Sequence, residues 1–277
     1  MQIECRQGNL NGHLNLGHPC FATQGHGKTG RIHLAVAPGC NISCNYCVRK
    51  FDCANESRPG VTSKVLTPEE ALETVRKVKA SDMGAKYRVV GIAGPGEPLA
   101  NSATYATFRE VKREFPEMIL CLSTNGLLLP EKINELAEIG VSHITITINT
   151  LDEEVGAQIY SYVRWKGKTL TGARGARILV GNQLKGLTMA AAAGMTVKIN
   201  TVIIPGINDK LLYSLGQEIK KRGAHIHNIV PLIPQAKLAH IKAPSKELIA
   251  SCRRSMGAFL PQMEHCQQCR ADAIGFL

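Results

Sequence analysis

Cys40, Cys44 and Cys47 stand in the run Pro38-Gly-Cys-Asn-Ile-Ser-Cys-Asn-Tyr-Cys47, a C-x3-C-x2-C spacing that directly follows the apolar stretch 32–37. Three thiolates on one tight loop suit three irons of a cubane iron–sulfur cluster. The fourth iron then stays open, as catalytic metal sites keep a position free for substrate. An open iron implies chemistry rather than electron storage. The competing reading is a zinc loop built from Cys44 and Cys47 with partners elsewhere. A second run, Gly91-Ile-Ala-Gly-Pro-Gly-Glu-Pro98, has glycines that let backbone approach a ligand and a carboxylate, Glu97, that can fix a positively charged amine. A third, Cys266-x-x-Cys269, reads as a metal or redox site in a chain with 10 cysteines.

These residues need a scaffold, and the hydrophobic pattern supplies one. Short apolar runs at 32–37, 88–94, 118–124, 143–149, 196–204 and 225–233 alternate with helical patterns, the signature of repeated βα units around a parallel sheet. Thr67-Pro-Glu-Glu opens a helix with an N-cap and a first-turn proline, and Pro130-Glu-Lys opens another. Further helices are expected over 103–114, 152–160, 177–193, 209–222 and 245–259. Six such units predict an α/β fold, a partial (β/α)6 TIM-like barrel with its chemistry at the C-terminal strand ends. In His143-Ile-Thr-Ile-Thr-Ile-Asn149 the isoleucines alternate with Thr145, Thr147 and Asn149, so one face packs under helices and the other forms a polar lumen. The same parity groups Cys121, Ser123 and Asn125 opposite Leu120 and Leu122, and places His33, Ala35 and Ala37 on one face of the first strand.

A chain of 277 residues can bury one large core, so a single domain over 1–277 is expected, with 1–31 an N-terminal extension and 260–277 a C-terminal tail. No apolar signal core and no uncharged membrane-length run is present, which predicts a soluble cytoplasmic protein without membrane partners. Lys plus Arg number 33 against 22 acids, a net charge of +11 that favours anionic ligands. Nucleic acid is disfavoured, because aromatic residues make up 5% and nowhere interleave with basic ones as a base-stacking platform. The densest basic stretch, Arg164-Trp-Lys-Gly-Lys168 with Arg174 and Arg177, reads as a mobile lid over an anionic ligand or a solvated loop.

The cysteine loop followed one strand later by the glycine-rich turn resembles the radical SAM superfamily. That resemblance implies a 4Fe-4S cluster whose open iron chelates S-adenosylmethionine (SAM), and a reductive cleavage that yields a 5′-deoxyadenosyl radical. Within it, His18-Pro-Cys20, Asn45-Tyr-Cys-Val-Arg-Lys-Phe-Asp-Cys-Ala-Asn-Glu-Ser-Arg-Pro-Gly60, Cys121-Leu-Ser-Thr-Asn-Gly and Cys266-Gln-Gln-Cys269 resemble the NifB family of nitrogenase-cofactor biosynthesis proteins. The family resemblance implies an enzyme with two auxiliary 4Fe-4S clusters. It fuses them, inserting a SAM-derived carbide and an added sulfur, into an eight-iron precursor of the nitrogenase cofactor. One SAM supplies a methyl group and another the radical that abstracts hydrogen from it.

By the same resemblance, Cys40, Cys44 and Cys47 ligate the SAM cluster. Cys20, Cys266 and Cys269 match one auxiliary cluster with His33 as nitrogen ligand, and Cys53 and Cys121 match the second, with Glu56 as the missing ligand. Gly94, Gly96 and Glu97 are expected at the methionine end of SAM, Ser123, Asn125, Thr147 and Asn149 as polar lumen contacts, and Ile199 beside adenine. His26 is a transient ligand or proton acceptor, or simply solvated; Cys5 and Cys252 have no motif partner. Many family members carry a C-terminal carrier-like domain that this chain does not show. Product handover would then need a separate carrier or scaffold protein, beside a cluster donor and an electron donor. The alternatives are another radical SAM enzyme acting on a small molecule, peptide or RNA with its auxiliary clusters as electron relays, and a non-enzymatic iron–sulfur scaffold or zinc module.

Overall fold

The computed structural model describes residues 17–21, 27–58 and 60–277. In chain order the strands are β1 (Gly30–His33), β2 (Ile42–Cys44), β3 (Tyr87–Ile92), β4 (Ile119–Thr124), β5 (Val141–Thr147), β6 (Tyr160–Trp165), β7 (Lys168–Leu170), β8 (Thr196–Ile203), β9 (Ile226–Pro231) and β10 (Ile274–Gly275). The helices are α1 (Pro68–Lys79), α2 (Ser102–Glu114), α3 (Leu129–Ile139), α4 (Glu153–Ile159), α5 (Gly172–Ala192), α6 (Leu212–Lys221) and α7 (Lys246–Gly257). Local chemistry sets several of these starts. Thr67 and Glu70 form a reciprocal capping box ahead of α1, and Pro68 occupies its first turn.

The main sheet runs β10-β1-β3-β4-β5-β8-β9. Its six strands from β1 to β9 are parallel neighbours, and β10 adds an antiparallel edge on β1. This is the expected α/β arrangement, a curled half-barrel with helices outside. Alternation decides which side of each strand is which. Ile144, Ile146 and Ile148 join Leu120, Leu122, Val197 and Ile203 in the core beneath the helices. Each such fully buried side chain contributes about 1.5–3 kcal/mol. The opposite parity, with Ser123, Thr145, Thr147, Lys198 and Asn200, faces the concave side.

Two expectations need correction. Regular pairing of the first strand stops at His33, and Ala37 rejoins as an isolated bridge to Pro95, because the chain there follows the glycine-rich turn instead of the strand. The basic stretch at 164–168 is no lid: β6 and β7 form a hairpin whose outer strand partner is β2. Arg174 and Arg177 belong to α5, and Arg177 pairs with Glu153 of α4. The β2-β6-β7 sheet covers a second core in which Ile42, Cys44, Tyr46, Tyr160 and Val163 pack together, so the cysteine loop rests on apolar side chains. No helix among the described residues is long and apolar enough to cross a membrane.

Candidate functional site

Two adjoining chambers lie on the concave face of the main sheet. The first, about 470 Å³, is lined by Cys40, Cys44, Cys47, Cys53, Asn125 and Thr147, among others. Its loop is held from three directions. Gly96 N–H donates to the Ala37 carbonyl at 2.6 Å and Glu97 N–H to the Gly39 carbonyl at 2.7 Å, stitching the glycine-rich turn to the start of the cysteine loop. A Cβ at Gly96 would stand 2.2 Å from the Gly39 oxygen, so only glycine permits this approach. Asn101 accepts from Gly39 N–H and donates to both the Gly39 and Glu97 carbonyls. Behind the loop, Asn149 Nδ2 donates to the Tyr46 hydroxyl at 2.7 Å and the Tyr160 hydroxyl at 3.2 Å, and Tyr46 donates to Asn55 Oδ1 at 2.5 Å.

Glu97 is buried and accepts on both carboxylate oxygens. One carboxylate oxygen accepts from Thr124 Oγ1 at 2.5 Å and Leu99 N–H at 3.0 Å, the other from Asn125 N–H at 2.6 Å. Burial still dominates and pushes its carboxyl up to about 7. Burial likewise pushes Cys40 up to about 11, with Glu97 adding to it. Cys44 and Cys53 are raised further by burial and by the neighbouring thiols. A cation that coordinates such a thiol displaces its proton outright.

The second chamber, about 560 Å³, is assembled from distant segments: His18 and Cys20, His33 of β1, Cys121 of β4, Lys198 of β8 and the segment 263–269. A cross-strand row makes it possible, for Gly91 pairs with His33 on one side and Cys121 on the other. A Cβ on Gly91 would meet the Cys121 sulfur at 3.0 Å and the His33 ring at 3.1 Å, so the bare glycine is a cradle for both. His33 Nδ1 lies 3.1 Å from the Arg270 carbonyl, which fixes the proton there and leaves Nε2 as the free lone pair of a neutral ring. Burial lowers His33 to about 4. Ser57 Oγ donates to the Cys269 carbonyl, Arg58 N–H to the Gln268 carbonyl and Ala271 N–H to Asp52, tying the Cys53 loop to the C-terminal segment. Glu56, Ala93 and Ser123 line both chambers and mark their junction.

The profile of the radical SAM superfamily matches residues 34–215. The chain belongs to the radical SAM superfamily. Solved structures agree in fold: SuiB of Streptococcus suis bound to S-adenosylmethionine superposes with a TM-score of 0.60 at 14% identity, covering 86% of this chain and 51% of that one. Methylornithine synthase (PylB) gives 0.54 at 14% identity, over 90% and 76%. Among curated proteins, the chain is 48% identical to the FeMo cofactor biosynthesis protein NifB of Klebsiella pneumoniae, over 94% of this chain and 57% of that one. It is 45% identical to the NifB of Chlorobaculum tepidum, over 94% and 62%. The chain therefore spans little more than half the length of these curated relatives.

Radical SAM enzymes use a 4Fe-4S cluster with SAM, and the first chamber fits that pair. Its three loop thiols share one buried space, and the Asn41 amide nitrogen beside them is buried without a partner. Among the described residues no three His, Cys, Asp or Glu side chains converge on a point as a single metal ion requires. A cubane spreads its ligands over separate irons and makes no such demand.

Of the residues expected at this radical SAM site, Gly96, Glu97, Ser123, Asn125 and Thr147 line the first chamber. Gly94 does not, although its carbonyl accepts from Ala37 N–H. Asn149 and Ile199 line neither chamber. Asn149 is spent on the tyrosine network and on Val202 N–H, and Ile199 faces the helices within the main core, on the parity opposite Lys198 and Asn200. Cys20, His33, Cys266 and Cys269 line the second chamber together. Cys53 and Cys121 do not share a wall: Cys53 sits beside the loop thiols and Cys121 beside Cys20, on either side of Glu56. Cys252 is buried in the main core, while Cys5 and His26 lie outside the described residues. His18, Tyr46 and Asp52 stand inside the quoted motifs without an assigned role, while Asn101, Arg31 and Lys198 lie outside them. Of these three only Lys198 carries a visible signal, a lone cation within the apolar run 195–204.

Proposed function

We propose that this chain is a NifB-type enzyme that fuses two 4Fe-4S clusters, with a SAM-derived carbide and an added sulfur, into an eight-iron nitrogenase-cofactor precursor. The observation that carries this reading is the pairing of two chambers, one lined by the radical SAM cysteines and one by thiols with a histidine, meeting at a buried carboxylate. The identity to NifB proteins supports it. A second substrate pocket rich in sulfur ligands is what an iron–sulfur substrate requires.

Cys40, Cys44 and Cys47 hold the SAM cluster, and bound SAM supplies a methyl group and one-electron hydrogen abstraction. Gly96 brings backbone to the methionine end, while Ser123, Asn125 and Thr147 offer polar contacts. Glu97 aligns Asn125 with the glycine-rich turn, and its Oε2, which accepts one hydrogen bond, keeps a lone pair for the methionine amine. Cys20, Cys266, Cys269 and His33 ligate one substrate cluster, with His33 presenting Nε2. The second substrate cluster belongs at the junction, reached by Cys53 from one side and Cys121 from the other. Glu56 lies between them, donated to by Asn200 Nδ2 at 2.8 Å and pushed by burial to about 7. A carboxyl poised there can ligate iron or hold a proton at Oε2 as the clusters change bonding. A cluster donor, an electron donor and a carrier for the anionic product are the partners this chemistry calls for.

Anaerobic reconstitution with iron and sulfide should load roughly twelve irons per chain, three cubanes. Turnover with SAM labelled at the methyl carbon should leave label in an enlarged cluster. Unaltered auxiliary clusters, with label found only in small molecules, would overturn the proposal.

A further inference from the structure

Lys198 lies in the middle of β8 with 5% of its surface exposed, on the parity that faces the second chamber. Its ammonium lies 3.7 Å from Met263 Sδ and 4.9 Å from the centre of the Phe21 ring. A thioether and a ring face soften the cost of burial but are not counter-ions. The ion pairs of the described residues do not include Lys198. Glu56, the acid whose charge it feels, lies beyond ion-pair distance and is bonded to Asn200.

His18 faces the same space, and Arg31 lies just outside it. His18 Nδ1 accepts from Cys20 N–H at 3.1 Å, so its neutral ring carries the proton on Nε2, and that atom is buried without a partner. Arg31 is buried, and its NH2 group lies 2.6 Å from Cys269 Sγ. A chamber whose own groups leave an ammonium and an N–H uncompensated is built to receive negative charge.

We infer that Lys198, with the His18 Nε2–H beside it, is an anion-recognition element that grips the sulfide edge of an anionic iron–sulfur cluster in the second chamber. This rests on the proposed function and adds a means of retention to it. A substrate cluster must exchange its cysteine ligands as it is consumed, and a grip on sulfide involves no bond to iron. The ammonium therefore keeps hold while thiolates leave, and its charge favours the reduced cluster.

The test compares wild type with Lys198→Met and Lys198→Arg. Before loading, Lys198→Met should melt at a higher temperature than wild type, because an uncompensated buried cation is gone. After reconstitution the order should reverse, with about four irons per chain lost and any remaining auxiliary-cluster signal shifted to a more negative reduction potential. Lys198→Arg should retain the iron. Lys198→Gln gives the same readings if the methionine variant is insoluble. Wild-type iron content and an unchanged auxiliary-cluster potential in Lys198→Met or Lys198→Gln would overturn the inference alone. Wild type that loads only about four irons overturns the functional reading beneath it as well.

Discussion

The two chambers gather thiols by opposite means. In the first, three thiols come from one loop, and apart from Asn41 Nδ2 the supporting polar groups largely satisfy one another: Glu97 accepts three hydrogen bonds and Asn149 uses both ends of its amide. In the second, the thiols and histidines come from distant parts of the chain, and His18 Nε2 and Asn228 Oδ1 are buried without partners among the described residues. Saturated hydrogen bonding rigidifies a site for repeated use, whereas open valences await an occupant that completes them. The first chamber has the character of a tool and the second that of a mould.

The sharpest way to break this contrast is to remove one thiol from each. Cys44→Ala should reduce SAM cleavage to background, while Cys266→Ala should keep measurable 5′-deoxyadenosine release and lose the enlarged cluster. Equal loss in both would mean that the chambers do not work separately. Adding one methyl group to each chamber's glycine is the next test. Gly96→Ala should cost about 1–3 kcal/mol, read as a lower melting temperature of the unloaded protein, since the added carbon meets backbone. Gly91→Ala meets side chains, so it should cost less, about 1 kcal/mol, yet displace Cys121 and His33 and selectively lower auxiliary iron. A third contrast concerns pH. Glu97 is raised from 4.5 to about 7, so the stability tied to its protonated form is fully present below about 4.5 and is lost as pH rises through about 7. Denaturation of unloaded Glu97→Gln at several pH values should lack that fall, a difference of about 1–3 kcal/mol.

The same contrast explains what could be read from sequence. The main sheet was legible because its strands alternate cleanly: isoleucines of β5 fall in the core and Cys121 and Ser123 on the lumen, as their spacing requires. The second sheet was not. β2 is three residues long and lies inside the cysteine motif, and the hairpin Arg164-Trp-Lys-Gly-Lys168 looks like a charged loop. Its one local clue is Lys166-Gly167, where both residues take left-handed φ values of 48° and 74°, the two-residue turn that suits twisted strands. Ile199 was misplaced because every residue of β8 is buried, so hydropathy alone does not tell lumen from core. Spacing does not show that Cys53 and Cys121 line different chambers, because loop packing against the segment 268–271 carries Cys53 to the other side of Glu56.

The pairing of β10 with β1 has a consequence for how the protein is made. Chain growth from the N-terminus supplies every lining residue of the first chamber by Thr147, whereas the second chamber waits for Leu277, and β1 stays unzipped on one edge until Ile274 and Gly275 arrive. At about 5–20 residues per second on the ribosome, Cys20 and Cys121 spend seconds without their wall. The order of synthesis thus completes the wall of the second chamber last.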